Sequence, residues 1–411
     1  MQVYLVGGAV RDRLLGLPVR ERDWVVVGAR PEELERQGYL RVGKEFPVFL
    51  HPETREEYAL ARVERKVAPG YRGFTTEFSP DVTLEEDLKR RDLTVNALAE
   101  DAQGTIIDPF GGQRDLQARL LRHVSEAFVE DPVRILRAAR FAARFASLGF
   151  TVAAETRELM KAMVAAGEVD ALVPERVWQE TERALGESRP DVYFETLRDS
   201  GALRVIFPEV AALYGVPQPA QWHPEIDTGV HVMMALRLAA QLDTPIATRY
   251  AVLMHDLGKA KTPPEKWPSH PGHEQAGVPL IDAASARLKV PKHFRDLAVT
   301  VARYHTHVHR ALQLKPSTVL QLLEDTDALR RPDRFGDFLT ACECDARGRA
   351  GLEARPYPQA AYLRRACEAA CAVSLSESEK AGLTGPAFGA KLREKRLGVL
   401  TSINHAMKDG S

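Results

Sequence analysis

The stretch Leu5-Val6-Gly7-Gly8-Ala9-Val10-Arg11-Asp12, followed by Glu21-Arg22-Asp23-Trp24-Val25-Val26-Val27, decides the reading of the amino-terminal third. A strand that runs into two glycines lets backbone N–H groups approach a phosphate chain with no Cβ in the way. Arg11, one turn into the helix that follows, can fork onto phosphate oxygens. Glu21 and Asp23 stand two apart at the edge of a β-branched run, so on a strand both carboxylates point to one face. Two hard oxygen ligands on one face suit a pair of Mg2+ ions that clamp an attacking hydroxyl, an α-phosphate and a leaving pyrophosphate. Alone, a Gly-Gly pair is a turn and an acid pair is a solvated strand end. Their succession within 17 residues points to nucleotidyl transfer.

Working outward, short β-branched runs alternate with helical patterns over the first ~125 residues. Strands are expected at Val3–Val6, Trp24–Val27, Val48–His51, Glu57–Arg62 and Thr105–Asp108, and a helix opens at Pro31 with acids in its first turn. Glu64 to Asp87 has little periodicity and reads as a long loop. From about Asp131 the strand signals stop and helical patterns run to the end, broken by Pro/Gly clusters at Tyr214–Pro219, Pro263–Gly272 and Arg355–Pro358. The fold class is α+β, a mixed head on a long helical body.

The chain has 411 residues, 45% hydrophobic and 27% charged, which excludes a disordered or collagenous protein. Lys and Arg number 56 against 57 acids, so no global positive field announces a nucleic acid, although a local basic surface can hide in a neutral total. The chain opens directly into the apolar Val3–Val6 run, and no apolar stretch reaches the ~18 residues of a membrane span. The expected location is the cytoplasm, with no membrane partner. Cys342, Cys344, Cys367 and Cys371 match neither a zinc knuckle nor a disulfide framework and read as free thiols.

Further blocks extend the head motif: Arg90-Arg91-Asp92-x-x-x-Asn96-Ala97-Leu98, Glu130-Asp131-Pro132-Val133-Arg134 and Pro174-Glu175-Arg176-Val177-Trp178-x-Glu180. In this order they resemble the polymerase-β-like head of the class II tRNA nucleotidyltransferases, the CCA-adding enzymes. The resemblance implies a mixed-sheet head and untemplated addition of C, C and A to a tRNA 3′ end from CTP and ATP. It also implies Mg2+ at Glu21 and Asp23, and nucleotide contacts from Gly8, Arg11, Arg91, Arg137 and Arg140. Asp131 and Arg134 match the motif that reads the Watson–Crick edge, where a carboxylate accepts from the amino group that cytosine and adenine share. The Glu64–Asp87 segment corresponds to the family's mobile loop, implicated in switching from C to A addition. One departure stands out: the family usually has Asp-x-Asp where this chain has Glu21-x-Asp23, which moves one carboxylate by a methylene.

Nine of the twelve histidines fall between His223 and His309. His255-Asp256 ends a helical run, His231 precedes it and His305 follows, and imidazole is the commonest metal ligand. The order resembles the HD superfamily of metal-dependent phosphohydrolases, appended to the bacterial branch of the nucleotidyltransferases. His270 and His273 are further candidates, whereas His223, His293, His307 and His309 read as surface or outer residues. The family's last ligand is usually Asp; the matching neighbourhood holds His305, Thr306 and His307, with Asp296 nine earlier, and leaves that position open. Mixed imidazole and carboxylate ligands favour Ni2+ or another transition metal. For this branch the resemblance implies 2′,3′-cyclic phosphodiesterase, 2′-nucleotidase and phosphatase activity.

The expected organisation is a nucleotidyltransferase head at 1–130, a helical neck with base recognition at 131–222, an HD domain at 223–330 and a helical tail at 331–411 that contacts tRNA. Monomer and homodimer are both compatible with it. The rival readings are a bacterial poly(A) polymerase and a phosphohydrolase whose head merely binds a nucleotide.

Overall fold

Three consecutive valines make β2 (Asp23–Val27) the spine of the amino-terminal sheet, because Val25 and Val26 face opposite sides and both sides are covered. Val25 packs with Val6, Ala61, Leu88 and Ala97, and Val26 with Leu34, Phe49, Tyr58 and Leu60. The computed structural model describes residues 1–42, 48–66 and 74–409. They fall into two compact units, Met1–Ile206 and Phe207–Ser411.

In the first unit, β1 (Gln2–Val6) pairs antiparallel with β2, and the remaining strands are β3 (Leu40–Val42), β4 (Val48–Leu50), β5 (Glu57–Leu60), β6 (Arg62–Lys66), β7 (Phe74–Phe78), β8 (Ala99–Glu100), β9 (Ile106–Ile107), β10 (Leu120–Leu121) and β11 (Thr151–Val152). Seven of them form one mixed sheet in the order β3-β4-β5-β2-β1-β8-β9, with β2 and β5 parallel. The helices of this unit are α1 (Gly8–Leu14), α2 (Pro31–Arg36), α3 (Leu84–Lys89), α4 (Gly112–Ala118), α5 (Val133–Phe145), α6 (Ala154–Ala165), α7 (Pro174–Leu185), α8 (Pro190–Asp199) and α9 (Ala202–Ile206). All five strands expected from the sequence are present, and α5 packs against α7 and α8.

The expected long loop at Glu64–Asp87 is not one. β6 and β7 form an antiparallel hairpin, with residues 67–73 outside the described residues. α3 then starts at a capping box in which Thr83 and Glu86 exchange hydrogen bonds. That S/T-x-x-E signal was there to be read in the sequence.

The second unit is helical: α10 (Pro208–Ala211), α11 (Thr228–Gln241), α12 (Ile246–Met254), α13 (His273–Arg287), α14 (Lys292–His309), α15 (Pro316–Asp325), α16 (Pro332–Arg347), α17 (Pro358–Ala372), α18 (Glu377–Lys380) and α19 (Gly385–Asp409). The apolar α12, buried from Thr248 to Met254, is wrapped by α11, α14 and α16. Among the described residues no helix is long and apolar enough to cross a membrane.

Candidate functional site

Among the described residues, chemically active side chains gather in each unit. In the first, β1 hands the chain to α1 through Gly7, whose φ of +69° disfavours a side chain. A Cβ there would lie 2.8 Å from Arg91 Nη1, so the absent side chain is what admits the guanidinium. Arg91 is braced by Asp87 at 3.4 Å and by the Asn96 carbonyl at 3.4 Å.

Arg11 is buried and bonds Asp12 through Nε at 2.8 Å and Asn96 through Nη1, and its guanidinium lies 5.0 Å from the ring centroids of both Phe141 and Phe145. Burial lowers its pKa, with Asp12 opposing. Arg144 reaches Asp12 at 2.8 Å, and Arg137 donates to Asp92 at 2.7 Å. Arg140 donates to Glu180, also at 2.7 Å. Asp92 also accepts from Asn96 and from the Leu93 N–H; despite complete burial these partners hold its carboxyl well below the usual range. Arg137, Arg140 and Arg144 of α5 are therefore locked into ion pairs rather than left solvated.

Asp23 is the first residue of β2, paired with Val6 on one side and Glu57 on the other. Glu21 lies in the loop before it, so the expected common strand face holds for Asp23 only: the ladder to β1 ends at the Asp23–Val6 pair. Asp23 is open at its tip, yet partial desolvation raises its carboxyl pKa, Arg91 opposes this, and the charge of Glu21 adds to it. Two carboxylates near enough to repel each other are a fitting seat for a hard divalent cation.

Asp131 and Arg134 do not turn toward a common point. Asp131 is held by Arg176 through two bonds of 3.1 and 2.7 Å, while Arg134 donates to the carbonyls of Ala127 and Arg90, both at 2.6 Å. Asp12, Asp92, Asn96 and Glu180, none of them an expected nucleotide contact, hold the arginines in place, and Arg176 holds Asp131. All five lie inside the motif blocks read from the sequence.

In the second unit, His255 caps the end of α12 and Asp256 leads into a tight 3-10 turn, Leu257–Lys261. Gly258 permits that turn: a Cβ there would collide with the His273 carbonyl oxygen and the Gly277 nitrogen. The close approach brings His273, at the start of α13, beside Asp256. His231 comes from α11, His305 from α14 and Asp345 from α16. These six side chains are buried and form two sets, His231–His255–Asp345 and Asp256–His273–His305, each with its ligand atoms within 4.8 Å of one another.

The imidazoles are oriented alike. Nδ1 of His255 lies 2.7 Å from the Val252 carbonyl, that of His273 2.8 Å from the His270 carbonyl, and that of His305 3.1 Å from the Val301 and Ala302 carbonyls. Nδ1 of His231 lies 2.9 Å from Glu225 Oε1. Held by backbone carbonyls at Nδ1, His255, His273 and His305 leave Nε2 to face the cluster, the tautomer a metal requires. His273 and His305 point their Nε2 atoms at each other across 3.3 Å, and His255 Nε2 and Asp256 Oδ1 are buried without a hydrogen-bond partner. Four nitrogens and two carboxylates fit a divalent transition metal. Burial would lower the pKa of His255, but Asp256 and Asp345 together raise it to about 10, so without a metal a proton takes the cation's place.

Asp345 fills the position that the sequence left open, and it comes from the segment read as a tRNA-contacting tail. It accepts from His231 at 3.0 Å, His309 at 2.6 Å and Arg349 at 3.2 Å. The signal was present: Phe335, Phe338, Leu339 and Cys342 form a buried helical stripe, and Asp345 continues it. Asp296 instead pairs with Lys292 and Arg295 near the surface. His270 is excluded as a ligand because its two nitrogens engage Thr262 Oγ1 and the Pro217 carbonyl. His309 and His223 support ligands, His309 through Asp345 and His223 through Glu225, at 3.1 Å, and an edge contact with His231.

Comparison with known proteins gives three family matches: a poly A polymerase head domain over residues 3–122, a probable RNA and SrmB binding site of polymerase A over residues 149–214, and an HD domain over residues 228–331. The Multifunctional CCA protein of Thioalkalivibrio sulfidiphilus is 63% identical over 98% of this chain and 98% of its own length. That of Nitrosococcus oceani is 60% identical over 98% and 99%. Among solved structures, a CCA-adding enzyme in an apo form superposes with a TM-score of 0.67 at 20% identity, covering 97% of this chain and 88% of that one. The Thermotoga maritima CCA-adding enzyme complexed with tRNA superposes at 0.60 with 20% identity, covering 99% and 91%. At such identities the likeness speaks for the fold.

Proposed function

The chain belongs to the multifunctional CCA proteins, and from that membership we propose that its two clusters serve one task, building and repairing the 3′ end of tRNA. It is a CCA tRNA nucleotidyltransferase: a tRNA 3′-hydroxyl attacks the α-phosphate of CTP, CTP again and then ATP, with release of pyrophosphate and no nucleic-acid template. Glu21 and Asp23 would hold Mg2+, which when bound neutralises the triphosphate and favours the attacking alkoxide. Gly8, Arg11 and Arg91 then line the triphosphate, with Asp12, Asp87 and Asn96 keeping the guanidinium forks from swinging. Arg137 and Arg140 approach the nucleotide from α5 with their Nε atoms anchored on Asp92 and Glu180. Reading of the base by Asp131 and Arg134 requires Asp131 to exchange Arg176 for an exocyclic amino group when a nucleotide enters.

In the second unit the reading is a phosphohydrolase with 2′,3′-cyclic phosphodiesterase, 2′-nucleotidase and phosphatase activity, acting on damaged tRNA ends before CCA is rebuilt. The observation that carries it is the set of imidazoles whose outward Nδ1 atoms meet acceptors while their Nε2 atoms converge with two carboxylates. Ni2+ or another transition metal bound there would activate water. Lys259 Nζ, 2.7 Å from Asp256 and 2.5 Å from Gln218 Oε1, steadies that carboxylate. The division into head 1–130, neck 131–222, HD domain 223–330 and tail 331–411 belongs to this reading, with Asp345 extending the HD centre past residue 330. The protein acts in the cytoplasm, a compartment that suits four free cysteines.

The test uses two tRNAs, one ending at the discriminator base and one ending in a 2′,3′-cyclic phosphate, with CTP, ATP, Mg2+ and Ni2+, followed by sequencing of the products. CCA ends on the first, and on the second only when Ni2+ is supplied, support the reading. Runs of A without C on the first would favour the poly(A) polymerase, and an untouched cyclic end would remove the phosphohydrolase.

A further inference from the structure

Trp222 differs from the other tryptophans. Trp24 stacks on Tyr58 and donates to Glu56, Trp267 donates to Thr262, and Trp178 is buried. Trp222 is 54% exposed, and among the described residues its indole has neither a ring nor a hydrogen-bond partner. An indole displayed to water is costly, because it leaves a large apolar face unburied.

The backbone beneath it is fixed. Gln218 N–H donates to the Ile226 carbonyl at 2.7 Å, Trp222 and His223 N–H both donate to the Pro219 carbonyl, and Pro217 bridges Asp227. Ile226 is β-branched, 47% exposed, and sits at φ +60°, a conformation such residues rarely adopt. A strained, rigid loop presenting an unpartnered aromatic ring marks a binding surface more readily than a neutral connection.

The loop is tied to the histidine–aspartate cluster at two points. His223, the next residue, meets the ring of His231 edge-on with centroids 4.7 Å apart. Arg349 donates to the Trp222 carbonyl through Nη1 at 3.1 Å and to Asp345 Oδ1 through Nη2 at 3.2 Å. A single guanidinium thus ties the backbone that carries the displayed ring to a carboxylate of the cluster.

We propose that Trp222 is the stacking platform for the terminal base of an RNA whose ribose phosphate enters the histidine–aspartate cluster, with Arg349 as the positioning residue between them. The inference rests on the phosphohydrolase reading and adds to it the residue that holds the base beside the reacting phosphate. Because every base offers a π-face, stacking makes the site tolerant of base identity, as repair of an end broken at any nucleotide requires.

The experiment compares the full chain with Trp222→Ala and Trp222→Tyr, using Ni2+-loaded protein. The substrates are adenosine 2′,3′-cyclic phosphate and an analogue without a base, 1,4-anhydroribitol 2,3-cyclic phosphate. Stacking energies predict that Trp222→Ala raises KM for the adenosine substrate roughly tenfold, with kcat little changed. Trp222→Tyr restores it, and the baseless analogue is turned over equally by all three proteins. CCA addition by each variant reports that the chain is folded. Equal loss on both substrates, or no loss on either, overturns the platform. Should the parent protein hydrolyse neither, the phosphohydrolase reading fails, and quenching of tryptophan fluorescence by adenosine 2′-phosphate still decides the platform. A quench missing from Trp222→Tyr supports it, and an unchanged quench refutes it.

Discussion

Replacing Asp345 with Asn keeps the shape of the side chain and removes one negative charge from the middle of the histidine cluster. Asp345 is 3% exposed and meets His231, His309 and Arg349 within 3.2 Å, so solvent screens little of the change. The pKa of His255 rises from 6.5 to about 10 although burial alone would lower it. That rise corresponds to about 5 kcal/mol of preference for the imidazolium, supplied mainly by Asp256 and Asp345. If Asp345 supplies even a third, the metal-free variant loses about 2 kcal/mol, or some 4–8 °C in the melting of a unit this size. The sign follows from the direction of the shift. A raised imidazole contributes stability that is complete below ~6.5 and fades as pH approaches 10, so the gap between parent and variant is widest in mild acid. An amide is also a poor metal ligand, and the loss of affinity should exceed the 10–100-fold usual for outer partners. Melting with EDTA at pH 6 and pH 9, metal content after dialysis against Ni2+, and hydrolysis of adenosine 2′,3′-cyclic phosphate measure the three effects, with CCA addition as the control. A variant that keeps its full metal complement and hydrolyses within twofold of the parent would show that Asp345 is not a ligand.

Asp23→Asn should remove nucleotide addition by at least ~100-fold while leaving Ni2+-dependent hydrolysis intact, read by CMP incorporation beside cyclic-phosphate turnover; joint loss of both activities would contradict two independent centres. Glu225→Gln takes away the carboxylate 2.9 Å from His231 Nδ1 and should weaken metal binding about 10–100-fold, measured by competition with a chromophoric chelator; unchanged affinity would make Glu225 a spectator. Asp92 is buried with its carboxyl held well below the usual range, so its stabilisation is complete above ~4 and is lost as pH falls below that. Asp92→Asn should cost about 3–5 kcal/mol at neutral pH and flatten the acid side of the first unit's stability curve; retention of the parent's acid dependence would refute the pairing with Arg137.

Much of the head was legible because its chemistry is local. Gly7, Gly8, Arg11 and Asp23 lie close together, and a β-branched run between turn residues leaves few alternatives to a strand. The strand face given to Glu21 was not legible, because register is set by the partner strand: β1 ends at Val6, so β2 has nothing to pair with before Asp23. His231, His255, Asp256, His273 and His305, which the structure brings together, were legible because imidazoles stand out in a sequence and Asp256 adjoins one of them. Asp345 was not, because an acid in a helix is common and only its place on a buried stripe sets it apart. The partners of Asp131 and Arg134 were also out of reach, since Arg176 and the carbonyls of Ala127 and Arg90 arrive from distant elements.

Asp345 follows His231 by 114 residues, on a helix that ends at Arg347. A ribosome therefore releases the imidazoles well before the carboxylate that balances them. A growing chain paused before that helix would hold the imidazoles with Asp256 alone to balance them. The second carboxylate of the centre arrives only when that helix emerges, with α17 to α19 still to follow.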